Sequence, residues 1–250
     1  MKTCLIALFL LLAVGCKPAD AGKSFQETKI KAEKGDAAAQ SNLGAMYATG
    51  DGVPKDEAEA VKWFRKAAVG GDALAQYHLG LMYATGQGVP KDEAEAVKWY
   101  RKAADQGNAA AQSNLGIMYA TGDGVPKDEA EAVKWFRKAA DQEHARAQYN
   151  LGVMYADGQG VPKDAAEAVK WYRKAAVGGD ALTQYHLGGM YANGQGVPKD
   201  ETEAYKWYLL TGAQGVEQAK KNISIIEGNI TPAQRAEGQR LAREWKSRKP

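Results

Sequence analysis

The sequence predicts an all-α protein, a right-handed superhelical solenoid of helix–turn–helix repeats, and three observations carry this prediction. Methionine, tryptophan and proline each recur every 36 residues. Every period contains two helical segments separated by glycine- and proline-rich turns. The composition is that of a folded protein, with 45% hydrophobic and 25% charged residues. A period of this length is typical of solenoids, because each unit buries its apolar face against its neighbours. The tryptophans that keep this register and are assigned to the repeat core are Trp63, Trp99, Trp135, Trp171 and Trp207.

The first period shows how each pair of helices is expected to form. Residues 37–48 and 57–68 have the composition of helices, and the glycines and Pro54 between them allow positive φ and stop the first helix. Asp56 lies three residues before Glu59, which is the spacing of a capping box at the start of the second helix. A Gly-Gly pair ends that helix and leads into the next period.

The shared pattern LGxMYxxGxGVPKDxxEAxxWxxKAA resembles the Sel1-like repeat family, which is related to the tetratricopeptide repeats. The resemblance covers residues 36–215 as five copies, here numbered copy 1 to copy 5. It implies antiparallel helix pairs in a curved superhelix that serves as an interaction module or adaptor. Some members are immunity proteins that block secreted lipase toxins. Cysteine-rich members have been linked to β-lactam binding, but the copies of this chain contain no cysteine.

The amino terminus has the pattern of an export signal. An apolar run that follows Lys2 and ends at Val14 is too short to span a bilayer. The run leads into Gly15-Cys16, which resembles the lipobox of bacterial lipoproteins. We therefore expect residues 1–15 to be a signal peptide and Cys16 to be lipidated. The residue after Cys16 is lysine rather than aspartate, and the resemblance then implies an outer-membrane lipoprotein facing the periplasm or the cell surface.

Both ends of the array are expected to differ from the copies because they meet water on one side. Residues 16–23 have the composition of a tether, and residues 24–35 are expected to form an amino-terminal capping helix. Residues 216–250 are expected to form carboxy-terminal capping helices and a basic tail, with the last helix over 233–246. The expected assembly is a monomer.

The copies differ mainly at four positions of their first helices, and these positions predict the partner site. Counted from the first of these positions, they lie at offsets of 0, 4, 7 and 11 residues. They therefore fall on one narrow stripe of the helix surface. Tyrosines expected to be exposed border this stripe, and tyrosine is enriched at interfaces. The resemblance implies that first helices line a concave face, which we expect to bind a protein. Neutral drift at exposed positions is the alternative. The predicted partner-binding residues are Leu74, Tyr77, His78, Leu81, Ile117, Arg146, Tyr149, Asn150, Val153, Asp157, Leu182, Tyr185 and His186.

Other classes of function find less support in the residues. The repeat body is mildly acidic, although the whole chain has a net charge of +3, and this argues against nucleic-acid binding. His78 and His186 lie three copies apart, too far to share a metal ion. We expect no catalytic residue, no metal and no cofactor. The favoured function is non-enzymatic protein binding. An immunity protein against a secreted lipase is a narrower alternative, and a cell-wall or β-lactam hydrolase is the alternative from another class.

Overall fold

A computed structural model describes residues 18–247 of the chain, with side chains described from 22 to 245. Over this range it contains thirteen α-helices and no strand, and consecutive helices pair. The predicted all-α solenoid of helix–turn–helix repeats is therefore confirmed. The chain divides into two compact units, Met1–Lys91 and Asp92–Pro250, with the boundary in the turn between the two helices of copy 2. The predicted signal peptide and the lipidation site Cys16 lie outside the described residues.

The helices recur in the order expected from the repeat. Unit 1 contains α1 (Pro18–Glu33), α2 (Ala37–Thr49), α3 (Glu57–Val69) and α4 (Ala73–Thr85). Unit 2 contains α5 (Glu93–Asp105), α6 (Ala109–Thr121), α7 (Glu129–Asp141), α8 (Ala145–Asp157), α9 (Ala165–Ala176), α10 (Ala181–Asn193), α11 (Glu201–Gly212), α12 (Glu217–Glu227) and α13 (Pro232–Ser247). Helix α1 begins at Pro18, so residues 18–23, which the sequence assigned to a tether, are helical. It ends at Glu33 rather than at residue 35.

The caps explain why the helices begin and end where they do. In copy 1, the Asp36 carboxylate accepts a hydrogen bond from the Ala39 backbone N–H, and Asp56 accepts one from Glu59 N–H. The full capping box predicted for α3 is not formed. The Glu59 side chain pairs with Lys62 instead, and the Asp56 N–H donates to the carbonyl of Tyr47 at 2.9 Å.

Small residues and two adjacent aromatic side chains per copy form the core between paired helices. Leu43, Leu79, Leu115, Leu151 and Leu187 are completely buried, and the five register tryptophans are nearly so. A lysine ammonium group lies over each of these indole rings, 3.8 Å from the ring centroid at Trp63 and 4.3 Å at Trp207. The five tryptophans therefore lie in the packed part of the repeat, each in contact with a lysine.

The ends of the chain cover the core as capping helices. In unit 1, Phe25 and Ala32 of α1 are buried against Leu43 and Trp63. In unit 2, Trp245 of α13 packs edge-on against Trp207, with ring centroids 4.9 Å apart. Because apolar side chains of the end helices cover the last copies, the array does not expose its core there.

The turn before α8 departs from the other copies and is strained. Glu143 adopts a φ of 61°, and it is the one residue other than glycine with positive φ in the described part of the chain. Glycine stands at the same position in the other turns between copies, for example Gly107 and Gly179. A side chain in this left-handed region costs about 1–2 kcal/mol.

We expect Glu143→Gly to raise the free energy of unfolding by about 1 kcal/mol, because the substitution removes this strain. Urea unfolding followed by circular dichroism measures the change. The control is Glu143→Ala, which keeps the unfavourable φ and should give little gain. Equal stability of the Gly and Ala variants would contradict this account of the turn.

Candidate functional site

A cavity of about 800 Å³ opens in unit 2, where the last two copies meet the first capping helix behind them. Its walls come from α8 to α12 and from the turns that follow α8 and α10. The lining residues are Tyr149, Val153, Ala156, Asp157, Lys163, Ala165, Tyr172, Tyr185, His186, Gly189, Met190, Ala192, Asn193, Gln195, Tyr208, Asn222, Ile225 and Ile226. A concave site of this size can hold a short segment of another molecule.

Five of the predicted partner-binding residues line this cavity. They are Tyr149, Val153, Asp157, Tyr185 and His186. The other predicted partner-binding residues do not line the cavity. Leu74 and Leu182 are half exposed, Arg146 is exposed, and Asn150 is partly buried. Ile117 packs against the apolar cluster around Leu151, so it is not free surface.

The tyrosines that border the stripe are partly buried, contrary to the expectation that they are exposed, and the histidines of the stripe are partly buried as well. His186 stacks on Tyr172, with ring centroids 5.6 Å apart and ring planes at 12°. Tyr149 lies 5.8 Å from the ring of Tyr172, and Tyr185 lies 5.7 Å from that of Tyr208. The reason is that each first helix packs against the aromatic ring of a second helix. His78 stacks on Phe64 in unit 1 in the same way, at 4.9 Å.

Polar contacts fix these rings at the cavity wall. The hydroxyl of Tyr149 lies 3.3 Å from Nε2 of His186, and the side-chain amide of Asn222 donates to the hydroxyl of Tyr185 at 3.4 Å. Burial raises the pKa of Tyr172 and of Tyr149, and the negative charge of Asp157 adds to both shifts. Both phenols are therefore neutral hydrogen-bonding groups at physiological pH.

Several lining residues were not among the predicted site residues. Tyr172 and Tyr208 belong to second helices, whose positions the sequence suggested were core or outer surface. The sequence signal that could have found them is that this position is phenylalanine in some copies and tyrosine in others, as in Phe64, Phe136 and Tyr172. Asn222 comes from α12, which the sequence identified only as part of a cap.

Two further substitutions shape the cavity. Gly189 stands where the other copies have Ala, Leu, Ile or Val, and a Cβ built there meets only the Tyr208 hydroxyl, at 3.8 Å. Ala165 replaces the glutamate of the other copies. Lys163 consequently lacks the ion pair that Lys127 makes with Glu129 and Lys199 with Glu201. No ion pair of Lys163 is found within residues 22–245.

Burial lowers the pKa of His186, and the carboxylates of Asp157 and Asp180 oppose this shift without cancelling it. The folded-state pKa thus lies below the ordinary histidine value of about 6.5. The unfolded chain takes up the proton first as the pH falls, so the contribution of His186 to stability is complete above about pH 6.5 and is lost below it.

We expect His186→Asn to reduce the loss of stability on acidification, because asparagine, which stands here in copies 1, 3 and 4, does not titrate. Urea unfolding at about pH 7.5 and at about pH 5 measures the loss in the variant and in the unaltered chain. A control substitution, Asn150→His, places a histidine at the same register in copy 4. If the variant and the unaltered chain lose equal stability, His186 is not responsible.

Within the described residues, no three His, Cys, Asp or Glu side chains lie close enough together to hold a metal ion. Over the same part of the chain, no helix is both long and apolar enough to cross a membrane. What the cavity presents is aromatic surface with hydroxyl, amide, carboxylate and ammonium groups at its edge, which suits binding.

Comparisons with known proteins agree with this architecture. A crystal structure of a Sel1 repeat protein from Oxalobacter formigenes is 35% identical and has a TM-score of 0.72, covering 91% of this chain and 97% of that one. A protective antigen of uropathogenic Escherichia coli strains is 38% identical, with a TM-score of 0.54, covering 88% of this chain and 56% of that one. A stretch of 69 residues is 42% identical to the secretory immunoglobulin A-binding protein EsiB of Escherichia coli. That stretch is 27% of this chain and 14% of that relative, so the match spans only a small part of it.

The family match covers the whole array. The model of the Sel1 repeat, a protein-interaction fold, matches five consecutive segments: residues 37–72, 73–108, 109–144, 145–180 and 181–216. These segments are the predicted copies, displaced by one residue, and they make up more than half of the chain. The chain therefore belongs to the Sel1 repeat family.

Proposed function

We propose that this chain is a non-enzymatic binding module that captures a protein partner through the cavity of unit 2 and the first-helix surface around it. One observation carries the proposal. The copies are nearly identical, yet substitutions found in a single copy meet at the wall of one cavity. Other residues found in a single copy, such as Glu143, Arg146 and Thr183, do not line this cavity, and the proposal rests on the three that do.

The substitutions concerned fall in copies 4 and 5. Asp157 replaces the threonine of copies 1 to 3, and Ala165 replaces glutamate. Gly189 replaces a larger side chain, and it is the absence of that side chain that leaves the space empty. Each of the three residues lines the cavity. Changes of charge and of volume therefore act at the same place, as expected of a site adapted to one occupant.

Half-buried tyrosines support recognition of a protein. Tyr149 and Tyr185 combine a large apolar ring with a hydroxyl and are held by contacts with Tyr172 and Tyr208. Rigid aromatic anchors of this kind lose little conformational entropy on binding and are common at interaction hot spots. The secretory immunoglobulin A-binding protein EsiB, to which a stretch of this chain is similar, is named for the binding of a protein, and this supports a role in binding.

We further propose that lipid on Cys16 anchors the module at the outer membrane, facing the periplasm or the cell surface. The support is the short apolar run followed by Gly15-Cys16. Several acyl chains on one residue suffice for stable anchoring, whereas a single chain gives only marginal binding. A module held in this way meets partners of the cell envelope.

The proposal is tested by replacing the two first-helix tyrosines of the cavity, Tyr149 and Tyr185, with serine, the residue at the same position in copies 1 and 3. We expect Tyr149→Ser/Tyr185→Ser to lose capture of partners from envelope extract by about tenfold or more, because two anchors are removed. Quantitative mass spectrometry of the captured proteins measures the loss. Tyr77→Ser is the matched control in unit 1. Unchanged capture by the double variant would refute the cavity as the site.

A further inference from the structure

Contacts within the repeat show that its tyrosine rings pack against arginine side chains. In copies 1 to 4, an arginine of the second helix lies with its guanidinium 5.5–5.8 Å from the ring centroid of a tyrosine in the next first helix. In unit 2, Arg137 pairs in this way with Tyr155 and Arg173 with Tyr191. Within the described residues, no cationic side chain lies over the rings that line the cavity. Those rings are Tyr149, Tyr172, Tyr185 and Tyr208.

A negative charge lies at the same cavity wall as these rings, which also carries the ammonium of Lys163. Asp157 lies at the cavity wall, and no ion pair of this carboxylate is found in the part of the chain with described side chains. The charges of Asp157 and of Asp180, the N-cap of α10, both raise the pKa of Tyr149. A cation placed against the ring of Tyr149 would thus meet both an aromatic face and a carboxylate, two interactions that favour it.

We propose that the cavity receives an arginine side chain carried by an extended segment of the partner protein, with its guanidinium against the rings of Tyr149 and Tyr185 and paired with Asp157. This inference rests on the proposed protein-binding function and names the chemistry of the partner. Arginine suits the site better than lysine because its planar group stacks on aromatic rings while donating two parallel hydrogen bonds to a carboxylate.

The remaining space and charge fit the segment around that arginine. A volume of about 800 Å³ exceeds that of one side chain, so neighbouring residues of the segment also enter. The other copies have a glutamate two residues after this lysine, and copy 4 does not. The ammonium of Lys163 can therefore donate a hydrogen bond to a backbone carbonyl of the segment. Lys163 is not among the charges that shift the pKa of Tyr149 or of His186.

The test uses the full chain and capped pentapeptides, Gly-Gly-X-Gly-Gly, in which X is arginine, citrulline or glutamate. Citrulline has the shape of arginine without its charge. Binding is followed by NMR titration of the backbone amides of α8 and α10. We expect the arginine peptide to shift amides of the cavity wall and to bind about fivefold more tightly than the citrulline peptide. The glutamate peptide should bind more weakly than both.

A matched pair of variants then tests whether the carboxylate of Asp157 contributes to binding of the arginine peptide. Asp157→Thr restores the residue of copies 1 to 3 and should weaken binding of the arginine peptide by about fivefold. Asp141→Asn removes an equal charge at the end of α7, which is not part of the cavity wall, and should leave affinity unchanged.

Equal affinity for the arginine and citrulline peptides would overturn the inference, as would tighter binding of the glutamate peptide or an unaltered affinity in Asp157→Thr. These results are separate from the capture experiment. If the chain captures a partner through Tyr149 and Tyr185 while the arginine peptide does not bind, the protein-binding function stands and the arginine assignment is wrong. If the arginine peptide binds as expected but the tyrosine variant captures as before, the arginine site stands and the assignment of partner capture to the cavity is wrong.

Discussion

Gly189→Leu is expected to abolish partner capture while making the protein more stable. Gly189 lies inside α10, where the absence of a side chain leaves the cavity open. Leucine stands at this position in copy 2 as Leu81, so the repeat accepts it. Because a leucine side chain would occupy the space beside Tyr208, the occupant could no longer enter. Replacing a glycine within a helix should also raise the free energy of unfolding by about 0.5–1 kcal/mol.

The opposite signs of these two effects separate a blocked site from a damaged fold. Capture is measured with envelope extract and stability by urea unfolding, both on the same preparation. Gly189→Ala is the matched control, because its Cβ meets only the Tyr208 hydroxyl, at 3.8 Å, and alanine is the residue of copy 1. The alanine variant should gain the stability and keep most of the capture. Full capture by the leucine variant would show that the cavity is not used.

Gly160→Ala is expected to have the largest effect on stability, a loss of about 3 kcal/mol. The backbone of Gly160 has a φ of 67° and lies against the first turn of α7. A Cβ at this position would lie 2.2 Å from the carbonyl oxygen of Glu129, and that oxygen belongs to a helix backbone that cannot move aside cheaply. The substitution therefore forces two adjacent copies apart in addition to straining the turn.

Gly158→Ala distinguishes these two causes. Gly158 also has positive φ, 77°, but its Cβ would approach its neighbours less closely, with the Cβ of Lys163 at 3.1 Å and the backbone N of Lys163 at 3.4 Å. We expect this variant to lose only the cost of the left-handed conformation, about 1–2 kcal/mol. Thermal and urea unfolding compare the two. If both glycines cost the same, close packing between copies does not explain why glycine is required at position 160.

The close approach of Gly160 to the preceding helix explains a feature of the repeat motif that the tolerance of glycine for positive φ does not explain. In the sequence, the second glycine of GxGVP appears as one more turn residue. In unit 2, Gly124, Gly160 and Gly196 each lie against the first backbone carbonyl of a second helix in the preceding copy. The motif thus encodes the spacing between copies as well as the turn within one.

The sequence by itself determined the helices, their pairing and the family. The predicted first and second helices of copy 1 each end within one residue of the observed α2 and α3, because caps and breakers act over a few neighbouring residues. It also indicated part of the site, since Asp157 and His186 were identified by their variation between copies and Tyr149 as a residue bordering the variable stripe. The start of α1 was missed because residues 18–23 carry no strong helix signal.

Only the tertiary structure decided which variable residues act together. Gly189, Lys163 and Asn222 come from two copies and a capping helix, and no periodic pattern connects them. Tyr172 became a site residue because a first helix packs on its ring and leaves one edge at the cavity. Ile117 does not line the cavity, since it packs, partly buried, against the apolar cluster around Leu151. Hydrogen bonds within a helix depend on near neighbours in sequence, whereas a cavity depends on the volumes that distant side chains leave unfilled.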